Sequence, residues 1–191
     1  MRQCGDCQLC CKLMPVSEAD QHTGRLQRVV VDKKAGERCP HQRHHKGCAV
    51  YARRPVACEL WNCRWLVGDD TAELSRPDRS HYVIDIMPDI IRLRDNTTGT
   101  AHELYVVVVW VDPGYRDAYK DPALLAWIER RAKAGNTPAM IRWSRDEAML
   151  LVPPSMSADH QWHEHHAPPT PGFRGFAQRL HELNQASGRS K

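Results

Sequence analysis

The sequence has no cysteine after Cys63, only two phenylalanines and no long hydrophobic run. Its longest apolar stretch, Leu104 to Val111, is far shorter than the ~20 residues that a membrane-spanning helix needs. The mean hydropathy is −0.60, which is polar. The N-terminus lacks the apolar stretch and the small-residue cleavage site of a secretion signal. We therefore expect a cytoplasmic protein with no membrane partner.

Signatures of common enzyme classes are also absent. There is no glycine-rich phosphate loop, no Gly-x-Ser-x-Gly and no His-Glu-x-x-His motif. The sequence therefore leaves open whether the protein is an enzyme, and it names no catalytic residue. With 191 residues, of which 41% are hydrophobic and 26% charged, it is typical of one globular domain or of one domain with a smaller lobe.

The chain does contain eight cysteines, all in its first third. Clustered thiols in a reducing compartment favour metal binding or redox chemistry, whereas a secreted protein would form four disulfides. Residues 1–65 carry 12 Lys and Arg against 6 Asp and Glu, while residues 66–191 have a net charge of −2. Basic side chains near thiols lower their pKa and offset the negative charge of a thiolate-bound metal. The candidate metal ligands are Cys4, Cys7, Cys10, Cys11, Cys39, Cys48, Cys58 and Cys63.

The spacing of these cysteines predicts that several sulfurs converge on one metal or cluster. The run Cys4-x2-Cys7-x2-Cys10, with a remote Cys39-Pro40, partly matches the ligation of iron–sulfur clusters in ferredoxins. Cys-x2-Cys spacing is equally typical of structural zinc sites. The adjacent Cys10 and Cys11 are expected to point apart, so that one of them is structural or serves a second site. Spacing leaves a [4Fe–4S] cluster and zinc as alternatives.

The hydrophobic pattern predicts an α+β protein, with a small irregular Cys-rich metal-binding lobe followed by an antiparallel sheet with one or two packed helices. We divide the chain into three regions: a Cys-rich metal-chelating lobe at 1–65, an α+β body at 66–155, and a Pro/His-rich link with a C-terminal amphipathic helix at 156–191.

Within the body, the β-branched run from Glu103 to Val111 predicts a central strand. Asp121-Pro122 predicts the start of a helix that ends before Gly135. Two hairpins are predicted beside them, one formed by 82–86 and 90–94 with its turn at Pro88, the other by 140–143 and 148–152. Val29 to Val31 is a candidate short strand, and 173–183 has helical spacing. Asp85 and Asp89 flank the first turn and are expected to be solvated.

The combined cysteine pattern resembles the YkgJ or CxxCxxCC family of zinc- or iron-chelating proteins. The resemblance covers residues 4–65 and implies metal chelation by the cysteines at the motif positions. A related Cys-rich segment in flagellin lysine methylases is thought to hold a [4Fe–4S] cluster, which favours iron. The motifs that carry the resemblance are Cys4-x2-Cys7-x2-Cys10-Cys11, Cys39-Pro40-His41, Gly47-Cys48 through Arg54-Pro55 to Cys58, Trp61-Asn62-Cys63-Arg64-Trp65 and Arg76-Pro77-Asp78-Arg79-Ser80.

Other polar residues near the cysteines have two interpretations each. Arg54 and Tyr51 either donate hydrogen bonds to thiolate sulfur or fix a turn. His41, between two motif cysteines, is a candidate substitute ligand. The histidines in 160–166 fit a solvated loop with incidental metal affinity better than a dedicated site.

These observations predict a cytoplasmic metal-binding protein that chelates an iron–sulfur cluster or zinc through the eight cysteines. One alternative is a zinc-stabilised adaptor that binds protein or nucleic acid, although no aromatic-interleaved basic stripe supports a nucleic-acid partner. The other is a redox enzyme that uses the cluster. The sequence names no protein partner.

Overall fold

The computed structural model describes residues 2, 5–16, 31–43, 46–94 and 98–166. Within these residues the helices are α1 (Leu9–Leu13), α2 (Val56–Leu60), α3 (Arg64–Val67), α4 (Pro77–Ser80) and α5 (Pro122–Gly135). The strands are β1 (Gln42–Arg43), β2 (Gly47–Cys48), β3 (Tyr82–Ile84), β4 (Asp89–Arg94), β5 (Ala101–Val111), β6 (Ala139–Arg142), β7 (Ala148–Val152) and β8 (His163–His166).

A six-stranded sheet forms the body, and β5 is its central strand. The order is β3-β5-β6-β7-β8, and β4 pairs with the first part of β5. All of these pairs are antiparallel except β5 with β6, which is parallel because α5 crosses over between them. The predicted α+β class, the central strand and the hairpin of β6 and β7 are confirmed.

Helix α5 covers one face of the sheet. Its N-cap is Asp121, whose side chain accepts a hydrogen bond from the backbone N–H of Ala123, and Pro122 occupies the first turn, as the sequence predicts. Leu124, Trp127 and Ile128 are buried against the sheet. This face is the larger apolar core and contains no cysteine among the described residues.

The opposite face of the sheet carries the cysteine-rich segment. Leu9 and Leu13 of α1 lie one helical turn apart and pack with Val83, Val108 and Trp110 of the sheet in a second apolar cluster, which also contains cysteines. The cysteine segment and the body thus share a core along this face. The division of the chain at residue 65 stays a prediction.

The predicted hairpin between 82–86 and 90–94 is wrong. Both segments contain strands, but β3 pairs with Val109–Val111 and β4 with Ala101–Val106, so each uses β5 rather than the other. Pro88 interrupts the extended chain, since proline has no N–H to donate. Asp85 instead forms a bridge with Cys63.

Some predictions fall on residues that the structure does not describe: Val29 and Val30 of the candidate strand and the helix at 173–183. The region of the four tail histidines contains the strand β8, where the sequence suggested a loop. None of the helices in the described part of the chain has the length and apolar character needed to cross a bilayer.

Candidate metal centre

Helix α1 positions the cysteines of the first motif. Because Leu9 and Leu13 bury one side of this helix, Cys10 and Cys11 are placed on its half-buried flanks. The two thiols are close enough for a hydrogen bond, so the expectation that they point apart is wrong. Cys7, just before the helix, is buried.

Arg76 holds the loop that precedes α1. Its guanidinium makes an ion pair with Asp6 at 2.8 Å and a two-pronged pair with Asp78, both contacts at 2.6 Å. Gly5 has φ +55, and a side chain there would meet the Arg76 guanidinium at 3.3 Å. The Cys7 thiol is also hydrogen-bonded to Asp78. Arg76 and Asp78 therefore connect the cysteine loop to α4, some 70 residues further along the chain.

A second arginine makes a similar long-range connection. Arg2 donates to the backbone carbonyl of Trp65 at 2.6 Å and to the hydroxyl and carbonyl oxygens of Thr71 at 2.7 and 2.8 Å. Thr71 is fully buried. The segment before the first motif is thereby attached to the chain that follows the last motif cysteine.

The β1–β2 hairpin positions Cys39 and Cys48. Cys39 donates its N–H to the carbonyl of Cys11 at 3.1 Å, and Cys48 is opposite Gln42 in the hairpin. The side chain of Gln8 donates to the carbonyls of Arg43 and Gly47 and accepts from the side chain of Gln42. The hairpin is therefore anchored to the residues just before α1.

Cys58 lies in α2, and Arg54 fixes the turn before it. Arg54 donates to the carbonyls of Tyr51 and Cys58, and its guanidinium stacks on the Tyr51 ring 4.1 Å from the centroid. These contacts support the interpretation that Arg54 orders the turn. The neighbouring Leu60 is 76% exposed.

Four thiols come within electrostatic range of one another and of one buried ammonium group. We call Cys11, Cys39, Cys48 and Cys58 the four-thiol group: Cys58 interacts with the other three, and Lys33 interacts with all but Cys48. The Lys33 residue is only 6% exposed. Burial lowers the pKa of Lys33, and the nearby thiols act in the opposite direction. Thiols grouped around one desolvated cation are the electrostatic arrangement expected beside a metal–thiolate centre, because thiols must lose their protons to bind a metal.

The Lys33 ammonium is held by main-chain oxygen atoms. It donates to the carbonyl of Glu37 at 2.9 Å and to those of Lys12 and Lys34 at 3.3 Å each. The backbone of Lys33 also exchanges two hydrogen bonds with Val16. Lys33 thus joins the end of α1 to the segment that leads to Cys39.

Two thiols of the group, Cys11 and Cys58, differ in acidity. A hydrogen bond from Cys10 outweighs desolvation and, with a smaller contribution from Lys33, lowers the pKa of Cys11 to about 7. Desolvation and repulsion by the other thiols of the group raise the pKa of Cys58 to about 11, although the residue as a whole is exposed at the surface. Cys11 is therefore the thiol of this pair that ionises near neutral pH.

The remaining described cysteines lie in the second apolar cluster. Cys7 and Cys63 are buried there and Cys10 packs against it, beside the half-buried Trp61 and Trp65. In the part of the chain that is described, no three His, Cys, Asp or Glu side chains form a ready-made metal site. The four-thiol group nonetheless has the soft donors and the charge balance that suit zinc or an iron–sulfur cluster. Cys4, His44 and His45 lie outside the described residues. His41 is half-buried and lies in the turn after Cys39.

Comparison with known protein families agrees with this set of donors. Residues 3–77 match the family model CxxCxxCC, described as "Putative zinc- or iron-chelating domain". The N-terminal segment of the chain is therefore similar to a CxxCxxCC domain. Its matched range includes all eight cysteines and extends to Arg76, the arginine that holds the first cysteine loop. Neither the curated proteins nor the solved structures contain a match to this chain.

Two features beside the cysteines could not be anticipated from the sequence: the place of Lys33, and the burial of Asp85 and Asp89. The basic excess of residues 1–65 predicted cations near thiols, but nothing in the sequence singled out Lys33, whose place depends on its pairing with Val16. Asp85 and Asp89 are not solvated, contrary to the prediction. Asp89 is 5% exposed, and Asp85 accepts a 2.8 Å hydrogen bond from the indole N–H of Trp61. Burial raises the pKa of Asp85.

The difference in acidity between Cys11 and Cys58 predicts the order of thiol alkylation in the metal-free chain. Because iodoacetamide reacts with thiolates, we expect Cys11 to be modified with a rate that rises around pH 7. Cys58 should stay almost unmodified until the pH approaches its pKa of about 11, despite its exposure. Peptide mass spectrometry after short pulses at different pH values measures both rates. Faster labelling of Cys58 than of Cys11 at pH 7 would contradict the assigned acidities.

Proposed function

We propose that this chain is a cytoplasmic metal-binding protein that holds an iron–sulfur cluster or zinc through its cysteines. The observation that carries the proposal is the four-thiol group beside the buried Lys33. The family match to a metal-chelating domain supports it independently. Eight cysteines in a chain of this kind are expected to stay reduced in a cytoplasmic compartment, where thiolates are available to a metal.

All eight cysteines are proposed ligands, and the four-thiol group is the set we assign to one centre. Cys11 comes from α1, Cys39 and Cys48 from the ends of the β1–β2 hairpin, and Cys58 from α2. Cys4, Cys7, Cys10 and Cys63 are the remaining candidates, for a second centre. Bound zinc would cross-link these short elements, and a [4Fe–4S] cluster, which we favour, would in addition accept and release single electrons.

Metal and acid-labile sulfide content, with the visible spectrum, tests this function. The untagged chain should be purified anaerobically without a nickel column, because its histidines can scavenge metal. We expect iron and sulfide in matching amounts and a brown colour that is lost in air. Stoichiometric zinc without sulfide would make the site a structural one instead. A chain that carries neither metal, with thiols that titrate freely, would refute the proposal.

A further inference from the structure

The last strand of the sheet presents two histidine rings on one face. In β8, His163 and His165 are two residues apart and therefore lie on the same side of the strand. Their rings are 6.2 Å apart between centroids and nearly parallel, at 17°. Glu164, on the other side, accepts a 2.8 Å hydrogen bond from the Tyr119 hydroxyl. Pairing of β8 with β7 along all four residues holds this arrangement in place.

A carboxylate completes the donor set beside the two rings. Asp159 lies 2.8 Å from Nε2 of His163. Its carboxylate is oriented by the backbone N–H of Gln161 at 3.1 Å and by a short hydrogen bond from Ser157. Two imidazoles and one carboxylate are ligands that zinc, nickel and copper(II) accept.

We propose that His163, His165 and Asp159 bind a divalent transition-metal ion of the zinc, nickel or copper class, at a site separate from the cysteines. In the described residues, no three His, Cys, Asp or Glu side chains are arranged so that they could hold a metal ion, so these donors must move to bind one. Metal–nitrogen bonds of about 2 Å would bridge the two rings once the His165 ring turns toward His163. An ion inserted between Asp159 and His163 replaces their present hydrogen bond.

The proposed ligands include no cysteine, so this site and the cysteine centre share no ligand. Helices α1 and α3 contact β3, at one edge, whereas β8 is the last strand on the other side of β5. This inference therefore does not depend on the proposed function of the cysteines.

Nickel binding by the full chain tests the site, with two double variants as a matched pair. His163→Asn with His165→Asn removes the proposed ligands. His160→Asn with His166→Asn removes the same number of histidines from the same segment, and asparagine tolerates the positive φ of His160. All cysteines are retained in both, so any nickel that they bind contributes equally.

We measure bound nickel by equilibrium dialysis against a competing chelator and follow the histidine ring signals by NMR, where paramagnetic Ni²⁺ broadens its ligands. The expected result is that the rings of His163 and His165 broaden first in the wild-type chain. Binding should be lost in the His163/His165 variant and retained in the His160/His166 variant. Asp159→Asn, which removes the third ligand, should weaken it by at least the ~10–100-fold that follows loss of an outer-shell partner. Equal losses in the two double variants, or no loss in either, would overturn the proposal and leave only incidental binding by exposed histidines.

Discussion

Serine at any one position of the four-thiol group is expected to abolish stoichiometric metal binding. A hydroxyl has nearly the size of a thiol but is a poor ligand for zinc or iron, so each change removes one ligand with little change in packing. The affinity should fall by more than the ~10–100-fold that follows loss of an outer-shell partner. Metal and sulfide content of anaerobically purified chains provides the readout. The variants are Cys11→Ser, Cys39→Ser, Cys48→Ser and Cys58→Ser.

Cys63→Ser is the matched comparison for this series. It makes the same chemical change in the neighbouring apolar cluster, where Cys63 is 6% exposed. Burial of the new hydroxyl should cost about 1–3 kcal/mol of folding free energy, measured by chemical denaturation, while the first centre keeps its metal. Full metal content in the four-thiol variants, with loss in Cys63→Ser, would mean that the centre is built in the apolar cluster instead.

The sequence predicted the parts of the fold that depend on local signals. Asp121-Pro122 carries both a capping side chain and a proline suited to the first turn, and α5 begins there. The run from Glu103 to Val111 predicts a buried strand because almost every residue is apolar or β-branched. The pairing of β3 and β4 could not be inferred in this way, because Pro88 is equally compatible with a reversal and with an interruption. Only the length of β5, which accommodates both strands, decides between them.

In the candidate site, too, the features that depend on local sequence could be predicted and the long-range contacts could not. Its thiols could be recognised from spacing, because the motifs are contiguous in sequence. The supporting contacts join distant residues: Arg76 meets Asp6 across about 70 positions, and Arg2 meets Thr71 across 69. The grouping of Cys11 with Cys39 follows from a backbone hydrogen bond, which no residue pattern encodes. Charge composition pointed to cations near the thiols, and the fold selects Lys33 by burying it.

Lys33→Met is expected to weaken metal binding by about 10–100-fold, the range typical of groups that act through a ligand. The substitution removes the cation that interacts with Cys11, Cys39 and Cys58, so their thiolates lose a stabilising charge. The pKa of Cys11 should rise from about 7 toward its ordinary range, because Lys33 is one of the groups that lower it. Alkylation of Cys11 at pH 7 should then slow in the metal-free chain, which separates this effect from metal binding itself.

Two further variants distinguish the charge of Lys33 from its hydrogen bonds. Lys33→Met also removes the ammonium donor from three main-chain carbonyls, of which that of Lys34 still accepts from the N–H of Glu37. Each carbonyl left with no donor and out of reach of water costs about 1–3 kcal/mol. Lys33→Gln keeps a donor and removes the charge. A loss of metal affinity that is caused by the missing charge should therefore persist in this variant, whereas a loss caused by the missing hydrogen bonds should be smaller. Lys34→Met removes an exposed neighbouring charge and should change neither affinity nor alkylation.

If the centre is an iron–sulfur cluster, the direction in which its midpoint potential changes is the most direct test of the role of the Lys33 charge. Reduction adds negative charge to a cluster that four thiolates already make anionic, and a nearby cation favours the reduced form. Loss of the Lys33 charge should therefore lower the potential in both Lys33→Met and Lys33→Gln, while Lys34→Met stays at the wild-type value. An unchanged potential in Lys33→Gln, together with reduced stability in Lys33→Met, would assign Lys33 a purely structural role in joining α1 to the segment before Cys39.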